Sequence, residues 1–189
     1  MSLCDHVLRD LRKEVEEVTQ KTAAKGKEHG FLICQVGDKF RSGAKCSGTE
    51  CGIRLKDCSG AKNVGAVHSH AVTARGGLDD SFSTTDLQAA YGKWQFSCII
   101  HSDSKLRCTR MPQTKEEKSQ YTTAWTKMDL AHMKYHNAVR LFREREKRAD
   151  SASERSKLLN DIMDYQAKHF VNLRHLSRSV EIDPCERTI

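Results

Sequence analysis

Residues 2–22 place Leu3, Val7, Leu11, Val15 and Val18 at the three-to-four-residue recurrence of one buried helix face. Ser2 and Asp5 stand where a helix start takes its cap. Small residues and a glycine over 23–27 then end the pattern. The next section is made of short strand-like runs, 31–36, 39–42 and 63–70, each flanked by glycine. A short helix over 84–92 follows, then two strands over 96–101 and 105–110 around the turn Ser102-Asp103-Ser104. This order of helix, strands, helix and strands predicts an α/β layer ending near Pro112.

Beyond Pro112 the texture is helical throughout. Tyr121, Trp125, Met128, His132, Tyr135, Val139 and Phe142 alternate at helix-seam spacing. The pattern breaks at 149–153, where Ser151 and Glu154 fit a capping box. Leu158, Ile162, Tyr165, His169, Leu173 and Leu176 then form a second seam, and Pro184 follows it. The expected architecture is an α/β domain over 1–112 with a mixed sheet flanked by helices, followed by an antiparallel helical hairpin over 113–189. The hairpin seams pack on each other, on the α/β domain, or across a homo-oligomer axis.

Composition narrows the classes. With 38% hydrophobic and 30% charged residues in a chain of 189, a core can form and the surface is well solvated. No apolar run approaches the ~20 residues of a membrane-spanning helix, so no membrane partner is expected. The net charge is +7, but basic and acidic residues number 17 and 13 before Met111 and 15 and 12 from there on. Charge so evenly spread disfavours a nucleic-acid arm. With eight cysteines and no secretory signal, thiols or metal ligands are expected ahead of a disulfide framework, in a cytoplasmic setting.

The candidate chemistry lies in His68-Ser69-His70 followed by Ser83-Thr84-Thr85-Asp86. Two histidines one residue apart at a strand end reach the same pole of a sheet, with a twist of the chain there bringing both imidazoles to one ion. Asp86, at the start of the next helix, supplies a third ligand. An N, N, O set leaves a fourth zinc position for water, the arrangement of a catalytic rather than a structural site.

This pattern resembles the JAMM motif of the JAB/MPN zinc metalloprotease family, as a divergent, prokaryotic-like member. That motif reads Glu, then His-x-His-Pro, then Ser-x-x-Asp. The resemblance spans roughly residues 2–110 and includes Glu28-His29-Gly30 at the family's glutamate position and the run 64–70 leading into the histidines. It implies the JAB/MPN (cytidine-deaminase-like) fold. It further implies Zn2+ held by His68, His70 and Asp86, Glu28 as acceptor of a proton from the bound water, and Ser83 as donor to the oxyanion. The implied activity is hydrolysis of an amide bond in a protein or peptide substrate, at the tail of a ubiquitin-like or sulfur-carrier-like protein. Two features depart from the family: Ala71 replaces its proline, and the loop over 71–82, with Gly76, Gly77, Asp79 and Asp80, is longer.

Other readings compete. The same fold serves as a non-catalytic scaffold or, in RadC-like relatives, as a nucleic-acid-associated protein. Glu50 competes with Glu28 as base, and Ser83 and Asp86 also suit a plain helix cap. His132 and His136 lack the glutamate of a zincin, since Met133 follows His132. His132 and His169 read as hydrogen-bonded core histidines. No Pro-Cys-x-x-Cys follows His68, which disfavours a zinc deaminase. Cys46, Cys51 and Cys58 cluster without a zinc-finger spacing, while Cys34 and Cys98 read as core.

Overall fold

A computed structural model describes residues 1–48, 53–71, 80–101 and 103–189. Helix α1 (Leu3–Lys25) starts at a full capping box, in which Ser2 and Asp5 satisfy each other's backbone N–H. Val7, Leu11, Val15 and Val18 are all at most 1% exposed, and each such burial contributes about 1.5–3 kcal/mol. The helix ends at Gly26, whose φ of 61° only glycine adopts without strain. Its N–H donates to the Thr22 carbonyl at 2.9 Å.

The chain then enters strands β1 (His29–Val36), β2 (Lys39–Ser42), β3 (Cys46–Ser47) and β4 (Lys62–Ser69). Helix α2 (Thr84–Ala90) and strands β5 (Phe96–His101) and β6 (Lys105–Arg110) complete the expected α/β part. The sheet runs β2-β1-β4-β5-β6 and continues to a further strand, with β3 paired to β1. Only β4 and β5 are parallel; the other pairs are antiparallel, so the sheet is mixed. One face packs on α1 through Phe31, Ile33, Val67, Cys98, Ile100 and Leu106. The other packs Ile99 against Phe82, Leu87, Met111 and Tyr121.

Helix α3 (Lys115–Arg148) starts at a Thr114–Glu117 capping box and runs 34 residues, about 51 Å at 1.5 Å per residue. Helix α4 (Ala152–Val180) returns beside it from the Ser151 cap. Their aromatic contacts pair Phe142 with Tyr165, Tyr135 with His169 and His132 with His169, running in opposite directions. The expected hairpin is therefore present. It is not the end of the chain's order, because strand β7 (Ile182–Thr188) follows and pairs antiparallel with β6 at the sheet edge. Pro184 lies in this strand, where an edge position tolerates the missing N–H. The period-2 signal of β7 is hidden by three charged residues in seven.

The cysteine expectation is overturned. Cys4–Cys185, Cys34–Cys58 and Cys98–Cys108 are disulfides, and Cys46 is the free thiol among the described residues. Cys34 and Cys98 lie in the core as expected, but cross-linked, and Cys58 is disulfide-bonded rather than a metal ligand, while Cys51 lies outside the described residues. The pairing follows from register: Cys98 faces Cys108 and Cys108 faces Cys185 across three adjacent strands. Cys4 and Cys185, 181 positions apart, cannot be paired from spacing, whereas Cys98 and Cys108 oppose each other across the expected β5–β6 turn. Among the described residues, no helix is long and apolar enough to cross a membrane.

The α4–β7 junction is fixed by Arg107 of β6, which donates to Glu181 at 2.7 Å. Burial pushes the Glu181 carboxyl above its ordinary pKa, against the opposing pull of Arg107. Truncating Arg107→Ala leaves this carboxylate buried and unpaired, so urea unfolding at neutral pH should show a loss of about 3–5 kcal/mol. The loss should shrink below the carboxylate titration range, where Glu181 takes a proton.

Candidate metal centre

The site forms where the ends of β4 and β1 meet the start of α2. Residues i and i+2 of a strand share a face, so His68 and His70 face the same way without the expected twist. The β4–β5 pairing carries on past the strand end, with the His70 N–H donating to the Ile100 carbonyl at 2.9 Å. The two Nε2 atoms lie 3.1 Å apart. Asp86 presents Oδ1 at 3.0 Å from His68 Nε2 and Oδ2 at 3.3 Å from His70 Nε2. One nitrogen from each histidine and a carboxylate oxygen of Asp86 lie within 4.8 Å of one another. This triad, with His68 buried and the other two half-buried, could hold a metal ion.

Asp86 also belongs to the α2 cap. Its Oδ2 accepts from the Ser83 N–H at 2.7 Å, and its own N–H donates to Ser83 Oγ at 3.2 Å. Ligation and capping are therefore compatible in one side chain. Burial alone pushes the Asp86 carboxyl up, but facing His68 and His70 outweighs it and holds the group well below its ordinary value. Ser83 Oγ accepts the Asp86 N–H bond, which leaves the hydroxyl proton to point elsewhere.

Glu28 immediately precedes β1 and is 9% exposed. Its carboxyl is raised by burial first, with His68 and His70 pulling it down and Asp86 pushing it further up. The triad thus acts on Glu28 electrostatically, and the Glu28 carbonyl accepts from the Gly48 N–H at 2.8 Å. The competing Glu50 lies outside the described residues, as do Gly76, Gly77 and Asp79 of the long loop.

Several residues that the sequence reading missed hold this arrangement. Gly30 faces His68 in the β1–β4 register. A Cβ there would stand 2.5 Å from the Val67 carbonyl oxygen and 2.8 Å from the His68 Cβ. Ser69, pointing away from the histidines, accepts from the His29 N–H at 3.0 Å and donates to the His29 carbonyl at 3.1 Å. Thr22 of α1 contacts the same hydroxyl. On the other side, Arg174 and Arg178 of α4 bind Asp80 at 2.6 and 3.0 Å, and Ser177 donates to the Phe82 carbonyl at 2.8 Å. They fix the segment that delivers Ser83. The alternation of Ser69 between two histidines was visible in the sequence; the reach of α4 across nearly a hundred residues was not.

The hairpin histidines stay out of the site. His169 stacks on Tyr135 at 4.2 Å, and burial, then His132 and His136, lower its pKa to about 4. Nδ1 of His132 and Nε2 of His169 find no hydrogen-bond partner among the described residues, and both rings pack against neighbouring aromatic rings. Comparisons of the chain with family models, curated proteins and solved structures find no match.

Gly30→Ala should test the strand approach that seats His68. The added methyl meets backbone on one side and His68 on the other, so overpacking should cost about 1–3 kcal/mol in urea unfolding. Metal affinity should fall with it.

Proposed function

We propose that this protein is a zinc-dependent amide hydrolase, a peptidase or isopeptidase of JAMM type on a JAB/MPN-like fold. The single observation that carries the reading is the convergence of His68, His70 and Asp86, with Glu28 buried just before β1, the strand paired with β4. A mixed sheet with one helix on one face and the chemistry on the other is compatible with that fold. Two imidazoles and one carboxylate suit zinc and leave a position open.

When bound, zinc lowers the pKa of water from 15.7 toward about 7, which makes hydroxide available near neutrality. The chain's own groups do the rest. Glu28, buried and raised above the ordinary carboxylate range, is placed to take a proton and hand it to the leaving amine. A positioned base of this kind contributes typically about 10²–10⁴-fold. Ser83 directs its hydroxyl proton to the developing oxyanion while its oxygen caps α2, a contribution on the order of 3 kcal/mol. The substrate is a protein or peptide, with the tail of a ubiquitin-like or sulfur-carrier-like protein as the class to screen first.

A cytoplasmic location was expected from the lack of a secretory signal, and three disulfides weigh against it, because such bonds persist mainly in oxidising compartments. The hydrolase reading does not depend on the compartment.

The first measurement is metal content of the disulfide-bonded protein by inductively coupled plasma mass spectrometry. About one zinc per chain is expected, and His68→Ala/His70→Ala protein should lose it. No zinc after reconstitution would sink the reading and leave a scaffold. Glu28→Gln should keep the zinc yet lose chelator-sensitive peptide cleavage by about 10²–10⁴-fold; unchanged cleavage would remove Glu28 from the chemistry. Metal loading should also weaken in acid, because the imidazoles and the carboxylate must shed protons to bind.

A further inference from the structure

On the face of the sheet opposite His68 lies a second cluster of metal-ligating atoms that the hydrolase reading does not use. Val67 is in register with Cys98, and His68 with Ile99. Because side chains alternate along each strand, Cys98 therefore points to the α1 side and His68 to the α2 side. Cys98, Cys108 and Cys185 are directly opposed on β5, β6 and β7, and opposed residues on neighbouring strands share a face. Cys4, in the first turn of α1, caps the row from above. The Sγ atoms of Cys4, Cys108 and Cys185 all lie within 4.8 Å of one another, and Cys98 is bonded to Cys108.

A second observation concerns the donor aimed at the cluster. The Cys4 N–H points at Cys185 Sγ, 3.0 Å away. It is one of the first-turn N–H groups of α1 that have no helical acceptor, at the end of the helix that favours negative charge. Such a donor stabilises a thiolate more than a neutral sulfur, and a helix N-terminus lowers a cysteine's pKa for the same reason.

We propose that, in the reduced chain, Cys4, Cys98, Cys108 and Cys185 form a closed structural zinc site, of which the two disulfides are the oxidised alternative. Four thiolates at about 2.3 Å from the metal make the usual tetrahedral structural centre. Its sulfur–sulfur edges are about 3.8 Å, inside the 4.8 Å that bounds the Cys4, Cys108 and Cys185 sulfurs, and Cys98 Sγ is free to move off Cys108 once their bond is broken. The redox step balances. Each disulfide takes two electrons and two protons from a dithiol reductant, which becomes a disulfide itself, and four thiols result. One zinc ion then displaces their four protons. Cys185 is the partly exposed member, so a reductant enters at Cys4–Cys185. The thiolate so formed attacks the adjacent Cys98–Cys108 bond, whose sulfurs are fully buried, by ordinary exchange. The metal would replace the disulfides in tying α1 to the last three strands.

The test uses full-length His68→Ala/His70→Ala protein, so that zinc at the candidate hydrolase centre does not contribute. After reduction with excess dithiol, removal of the reductant under anaerobic conditions and addition of zinc alone, about one tightly held zinc per chain is expected. The unreduced protein should hold none. Cobalt in place of zinc should give the strong near-ultraviolet absorption of thiolate-to-metal charge transfer. Adding Cys185→Ser should abolish binding, whereas adding Cys46→Ser should not. A reduced protein that holds no zinc, or whose cobalt spectrum lacks thiolate absorption, overturns the proposal. So does undiminished binding after Cys185→Ser. Should that variant fail to fold, the cobalt absorption of the otherwise unchanged cysteines decides the matter.

Discussion

The close approach of β1 to β4 at Gly30 and His68 is the constraint on which the rest of the site depends. A side chain of any size at Gly30 would collide with the Val67 carbonyl and the His68 side chain, so the two strand ends meet only because one of them carries none. The Ser69 hydroxyl locks this approach from the opposite face, satisfying both the N–H and the carbonyl of His29. Glu28 is the next residue back along the chain. One backbone register therefore relates Glu28 to the candidate metal-binding histidines, and α1 joins in because Thr22 shares the same hydroxyl. Hydrogen bonds buried in this way are worth more for what their loss would cost than for what they add. A stranded donor such as the His29 N–H costs about 1–3 kcal/mol.

Asp86 links the second half of the site to helix formation. A helix of seven residues has little propensity to stand by itself, and α2 relies on its capping box and on Leu87 and Ala90 buried beneath it. The carboxylate that completes the cap is the one that faces both imidazoles. The ligand is therefore ordered before any ion arrives, and its entropy is already lost. Its depressed pKa has the same origin, because the charges it faces outweigh the burial that would otherwise protonate it.

The sequence made the local elements legible and the long-range closures illegible. Strands β2, β5 and β6 fall on the expected residues, and β1, β4 and α2 differ from expectation by one or two residues at their ends. The seam of α1 was readable because one uninterrupted face is buried. His68, His70 and Asp86, which the fold brings together, were legible because they lie in short motifs. Strand β7 escaped because its charged residues pair with neighbours instead of alternating with apolar ones: Glu186 with Arg107 and Arg187 with Asp5. Cys4–Cys185 escaped because its members are 181 positions apart and only the docking of α1 on the sheet brings them together; Cys98–Cys108, 10 positions apart, lay within the register of the expected β5–β6 pair. Asp80 had no partner in its own neighbourhood, since Arg174 and Arg178 come from the far end of α4.

That last contact explains why a long hairpin accompanies so compact a centre. The buried residues of α4 are His169, Leu173, Ser177 and Val180, all in its second half, and those of α3 are Tyr121 and Met128. The hairpin thus grips the sheet by its base, while its tip is held by Tyr135, Phe142 and Tyr165 packing across the two helices. The same base carries Ser177, Arg174 and Arg178 to the segment before Ser83, and β7 continues directly from it into the sheet edge. Arg107 clamps that passage at Glu181, and Cys185 fastens β7 to α1. The path from the terminal strand to the cap of α2 is therefore a chain of direct contacts. Loosening the sheet edge would act first on the segment bearing Asp80 and Phe82, and through it on Ser83. The β1–β4 register that seats His68 and Glu28 lies on the other side of the sheet order and would stay in place.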